Sequence, residues 1–204
     1  MERRPTAAIR LPNLVLLAGP NGSGKSTFAK SALRDVAQFD VKIDADEIAR
    51  HLSSNDPASV AFAAGKKAIS LRLAALAARQ SLVIETTLSS NELFRFAREA
   101  KSTGYTFIFV YLFIASVDLC DFRVKQRVMK GGHSIPIDVI TRRHRRSIVN
   151  FDRFFGLSHE ALVYNAELEQ PQLVASKQDG TVKVHDEFGW AELGIAIQDA
   201  SHIE

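Results

Sequence analysis

Eight consecutive residues, Gly19-Pro20-Asn21-Gly22-Ser23-Gly24-Lys25-Ser26, meet every requirement of the Walker A pattern. The chemistry such a run performs is phosphate binding. Its glycines let successive backbone N–H groups turn inward around an anion, and a helix opening behind it adds the positive end of its dipole. In that scheme Lys25 reaches the β- and γ-phosphates of ATP and the Ser26 hydroxyl ligates Mg2+. The expected nucleotide-binding segment therefore runs from Gly19 through Ser26 to Thr27.

A second set of residues could supply the rest of a phosphoryl transfer. Lys42-Ile43-Asp44-Ala45-Asp46-Glu47 closes a short apolar run, and a carboxylate there can take the proton of an attacking hydroxyl. Asp46 is the expected base. Asp44 either shares the acceptor site or caps the helix that follows. Further on, Arg123 and Arg127 stand four residues apart, one turn along one helix face. Loose phosphoryl transition states need positive charge around the transferring group, which makes both arginines catalytic candidates. The loop Lys130-Gly131-Gly132-His133 follows, and His133 is a candidate at the substrate. His144 shares a helical stripe with Ile137, Ile140, Ile148, Phe151 and Phe155, so it reads as a packed side chain.

These residues need a scaffold of strands and helices. Leu14-Val15-Leu16-Leu17-Ala18 has the unbroken apolar character of a buried parallel strand. Further strands are expected over 39–43, 81–85, 105–114 and 160–164, with helices over 25–36, 45–52, 90–102, 116–129 and 137–155. Asp56 and Pro57 have the character of a helix start, so one long helix is expected from there to Arg79. Alternation of this kind calls for a parallel sheet with helices on both faces. Near the C-terminus, 173–176 and 182–185 flank Asp179-Gly180, a hairpin signal, and a last helix begins near Phe188.

The 204 residues suggest a single domain over 1–204, with a core at about 13–165 and a hairpin and helix over 166–204. Hydrophobic residues at 46% and charged residues at 24% suit a globular protein with a full core. A formal charge of +3 is too small an excess to argue for nucleic acid by itself. One cysteine, Cys120, allows neither an internal disulfide nor a cysteine-based metal site. The apolar stretch 107–114 is far too short to span a membrane. A soluble, cytoplasmic protein is expected.

The Walker A loop, Ile43-Asp44-Ala45-Asp46, Val83-Ile84-Glu85-Thr86-Thr87, the Arg123/Arg127 helix with Gly131-Gly132-His133, Arg142-Arg143 and Tyr164-Asn165 together resemble the zeta-toxin-like P-loop kinases. The resemblance covers roughly residues 13–165, and the Gly-Gly-His lid looks most like a short, compact branch. It implies an α/β fold like the nucleoside monophosphate kinases, with five parallel strands in the order 2-3-1-4-5. It also implies transfer of the ATP γ-phosphate to a hydroxyl of an acceptor such as UDP-N-acetylglucosamine. Glu85, Thr87 and Arg142 are then expected at the acceptor beside Asp44 and Asp46, with an antitoxin protein that blocks the ATP site as partner. Where better-known members carry Glu-Gly-Thr, this chain has Glu85-Thr86-Thr87. Two other readings use the same residues: an ATPase with no phosphoryl acceptor, and a nucleic-acid-binding protein using Arg142 to Arg146. No base-stacking aromatic pattern accompanies that basic cluster.

Overall fold

A computed structural model describes residues 11–33, 38–132 and 134–202. In chain order the elements begin with β1 (Asn13–Ala18), α1 (Lys25–Ser31), β2 (Val41–Asp44), α2 (Ala45–Leu52) and α3 (Ala61–Ala77). There follow β3 (Leu82–Thr86), α4 (Asn91–Ser102), β4 (Thr106–Phe113), α5 (Val117–Met129) and α6 (Ile137–Leu157). The chain closes with β5 (Glu160–Asn165), β6 (Gln172–Gln178), β7 (Thr181–Val184) and α7 (Glu187–His202).

Leu14 to Ala18 lack any polar side chain and are fully buried, so β1 must be covered on both faces. It lies in the sheet between β3 and β4, parallel to both. β2 extends the parallel sheet beyond β3, and β5 extends it beyond β4. The strand order over this part is the expected 2-3-1-4-5. The sheet does not stop there. β6 pairs antiparallel with β5 and β7 with β6, giving seven strands in the order β2-β3-β1-β4-β5-β6-β7. The hairpin turn is the expected Asp179-Gly180, whose φ angles of 50° and 80° are both left-handed, as a type I′ hairpin turn requires.

Side-chain alternation sorts the two faces. Phe107, Phe109, Tyr111 and Phe113 of β4 join Leu14, Leu16 and Ala18 in one core, which Phe151 and Phe154 of α6 cover. Val15, Leu17, Val110 and Leu112 join the opposite core with Phe28 of α1 and Cys120 and Val124 of α5.

The long helix starts later than its sequence predicts. Asp56 and Ser59 close a turn, Asp56 Oδ1 accepting from the Ser59 N–H at 3.2 Å, and α3 begins only at Ala61. Part of the helix expected over 25–36 falls outside the described residues. No helix among the described residues is long and apolar enough to cross a membrane.

Candidate nucleotide and acceptor site

The loop between β1 and α1 is built around positions that exclude a side chain. Gly19 has a φ of 148°, and a β-carbon there would run into the carbonyl oxygen of Leu112 on β4. At Gly22, φ 81°, a β-carbon would sit 2.8 Å from the Cys120 carbonyl oxygen. Lys25 is buried beneath the loop, and its ammonium donates to the carbonyls of Gly19 at 2.9 Å and Pro20 at 2.8 Å. Burial lowers the Lys25 pKa, against the pull of the Glu85, Asp46 and Asp44 carboxylates. The loop also closes on itself where the Ser23 N–H donates to the Pro20 carbonyl at 3.3 Å.

Strand register brings the acidic residues to this loop. Asp44, ending β2, is the register partner of Glu85 near the end of β3. The Ser26 hydroxyl donates to Glu85 Oε1 at 2.7 Å, while Glu85 Oε2 is buried and makes no hydrogen bond. Lys42 Nζ lies 3.8 Å from Glu85 Oε2 and 3.5 Å from Glu47. Burial first, and the neighbouring Asp44 charge second, push the Glu85 carboxyl above its ordinary range.

Of the two roles open to Asp44, the cap is present. Its Oδ1 accepts from the N–H groups of Asp46 at 2.9 Å and Glu47 at 3.3 Å, at the start of α2. Asp44 nevertheless borders the same cavity as Asp46, which is exposed on the first turn of that helix.

That cavity has a volume of about 490 Å3. Its floor is the phosphate loop from Asn21 to Thr27, including Lys25 and Ser26. One wall is acidic and hydroxylic: Asp44, Asp46, Glu85, Thr86 and Thr87. The other is basic, with Arg123, Gln126 and Arg127 from α5, Lys130 just beyond it, and Arg143 from α6.

Thr86 spends its hydroxyl inside the turn, accepting from the Leu88 N–H at 3.0 Å. Leu88 is fully buried at φ 59°, and its carbonyl accepts from Asn150 Nδ2 of α6 at 2.9 Å. This holds the turn that presents Thr87, whose hydroxyl lies 3.0 Å from that of Ser89.

Three positions differ from expectation or lie beyond it. Arg142 is exposed and outside the cavity lining; Arg143 borders the cavity instead, because one residue along a helix turns the side chain by about 100°. Arg123 borders the cavity, but its guanidinium is hydrogen-bonded to backbone carbonyls. His133 lies outside the described residues. His144 is packed, as its stripe suggests: Nε2 lies 2.9 Å from the Ile114 carbonyl, and burial lowers its pKa. Gln126 and Lys130, not expected as site residues from the sequence, also line the cavity: Gln126 stands three residues after Arg123 on α5, and Lys130 three residues after Arg127, just past the end of that helix.

The donors around the loop are those that a nucleotide with its metal ion requires. Asn21 Oδ1, Ser23 Oγ and Glu85 Oε2 are buried polar atoms without a hydrogen-bond partner, and all lie at the loop. One hydroxyl and one or two carboxylates are hard oxygen donors that suit Mg2+, which takes its remaining ligands from phosphate and water. The residues fit.

The family model for Zeta toxin matches residues 2–186. The chain belongs to the Zeta toxin family. An uncharacterised protein of Haemophilus influenzae is 35% identical over 130 residues, covering 64% of this chain and 91% of that protein. Among solved structures, AvrRxo1-ORF1:-ORF2 with ATP superposes with a TM-score of 0.73 at 17% identity, over 91% of this chain. This Zeta toxin family member spans 64% of the length of that chain. The PezAT chromosomal toxin–antitoxin system of Streptococcus pneumoniae gives a TM-score of 0.63 at 14% identity, over 98% of this chain and 91% of its own. These likenesses show the α/β P-loop kinase-like fold.

Proposed function

We propose that this Zeta toxin family member is an ATP-dependent kinase that transfers the γ-phosphate to a hydroxyl of a small-molecule acceptor. One observation carries the reading: a single cavity has Lys25 and Ser26 on its floor and Asp46 on its wall. A kinase needs a phosphate cradle and a proton acceptor facing one space.

Each residue then has a task. Lys25 moves from the Gly19 and Pro20 carbonyls to the β- and γ-phosphates. The Ser26 hydroxyl and the Glu85 carboxylate would be the oxygen donors for Mg2+, which would neutralise charge on those phosphates. Asp46, oriented by the cap that Asp44 makes on its N–H, accepts the proton of the acceptor hydroxyl. Arg127 and Arg143 face the cavity from the basic wall and stabilise charge as it spreads over the transferring group. Thr87 and Glu85 orient the acceptor.

An acceptor of the nucleotide-sugar class, UDP-N-acetylglucosamine-like, suits a cavity with hydroxyl groups on one wall and cationic groups on the other. The ATP complex of AvrRxo1-ORF1:-ORF2 supports ATP as the donor. The PezAT system supports an antitoxin as partner, and a cytoplasmic setting follows from an ATP-using toxin.

The test is to incubate the protein with Mg·ATP and a panel of nucleotide sugars, nucleosides and dinucleotides. Mass spectrometry then looks for a product heavier by one phosphate, with Asp46→Asn alongside. Product from the wild type and none from the variant, which still binds ATP, supports the reading. Equal product from both removes Asp46 from the mechanism.

A further inference from the structure

Arg123 sits in the wall of the nucleotide cavity, yet its fork of donors faces the protein. One terminal nitrogen donates to the carbonyls of Ala166 at 2.6 Å and Gly22 at 3.5 Å, the latter at the outer limit of a hydrogen bond. The other donates to Glu167 at 2.7 Å and Leu168 at 3.3 Å. The two terminal nitrogens of a guanidinium carry four N–H groups, and four carbonyls receive them. Three of these come from successive residues just after β5, and the fourth is in the phosphate loop.

The segment after β5 is itself anchored. Glu167 Oε1 accepts from the N–H groups of Ala115 at 2.9 Å and Ser116 at 3.2 Å, between β4 and α5. The Glu167 N–H in turn donates to Asn165 Oδ1 at 2.9 Å. The phosphate loop also rests on α5 directly, since a β-carbon at Gly22 would come 3.3 Å from Arg123 Cβ. Loop, α5 and the 165–168 segment thus form one knot with Arg123 at its centre.

From this geometry we infer that Arg123 is a positioning residue that fixes the phosphate loop against the 166–168 segment, and not a ligand of the γ-phosphate. The inference rests on the nucleotide-binding part of the proposed function. It gives Arg123 and Arg127 different tasks although they stand one helical turn apart.

The two roles predict different nucleotide selectivity. A γ-phosphate ligand discriminates a triphosphate from a diphosphate; a residue that shapes the loop supports both. Dissociation constants for Mg·ADP and for the Mg complex of the non-hydrolysable analogue AMP-PNP would be measured by calorimetry. The proteins are wild type, Arg123→Met and Arg123→Lys, each first shown to be folded by circular dichroism. Arg123→Met is expected to weaken both nucleotides by about tenfold and to leave their affinity ratio unchanged. Lysine, which keeps the charge but cannot span four carbonyls, is expected to behave like methionine. Loss of AMP-PNP affinity with ADP affinity retained, recovery of both by lysine, or no change in either variant would each overturn the assignment. If methionine does not fold, the lysine variant decides alone on the same ratio. Failure of the wild type to bind either nucleotide would instead remove the proposed function itself.

Discussion

Glu85 is a carboxyl held where charge is costly. It is partly buried, its buried Oε2 lacks a hydrogen bond, and Asp44 lies beside it. Because its folded pKa is raised, its stabilising contribution is complete below the ordinary carboxyl value of 4.5 and is lost as pH rises through the raised value. Glu85→Gln is therefore expected to raise the Tm at pH 7.5 by a few degrees, on the order of 1 kcal/mol. The gap should close as the pH falls below about 4.5, which thermal denaturation at several pH values would check. The stabler variant should also be the poorer enzyme, since it gives up a carboxylate oxygen proposed to hold the metal ion. Lys25→Met should behave differently. It removes the donor to Gly19 and Pro20 and lowers phosphoryl transfer by about 10²–10³-fold or more, measured as ATP-dependent product formation. The phosphate loop was legible in the sequence because its chemistry is local: eight adjacent residues specify both geometry and function. The cationic wall was not. Choosing Arg143 over Arg142 depends on the rotational phase of α6, and the engagement of Arg123 depends on carbonyls 43 to 45 residues away.

At the scale of elements, α6 does two jobs. Its apolar face covers the aromatic side of β4, with Phe109 5.9 Å from Phe151 and 6.1 Å from Phe154 between ring centroids. Its buried polar groups tie it to the site side of the sheet. His144 reaches the Ile114 carbonyl, Ser147 pairs with the Tyr111 hydroxyl at 3.1 Å, and Asn150 holds Leu88. Helix position and the turn that presents Thr87 are thereby linked. Phe109→Ala should cost about 3–5 kcal/mol and lower the Tm by roughly 10 °C, read by calorimetry. Strand positions were legible from apolar runs. The start of α3 was not, because Asp56-Pro57 serves a turn as well as it serves a helix cap, and only tertiary packing chooses between them.

For the whole molecule, the C-terminal unit closes the sheet. β6 pairs along β5, and Val174 and Ala175 are fully buried there, as is nearly all of Leu193 on α7. A chain ending at residue 169 would leave β5 as an uncovered edge. It is expected to aggregate, visible as a void-volume peak in size-exclusion chromatography. The Asp179-Gly180 hairpin was readable from two residues, but its attachment to the main sheet rests on pairing between β5 and β6, which no local pattern reports. In the proposed function the cavity passes phosphate from ATP to an organic acceptor rather than to water. The most direct measurement follows the label from [γ-³²P]ATP after mixing the protein with Mg2+ and the small-molecule fraction of a bacterial extract. The proposed function predicts a labelled organic product that is absent with Asp46→Asn. Label released only as inorganic phosphate, at the same rate in the variant, would contradict it.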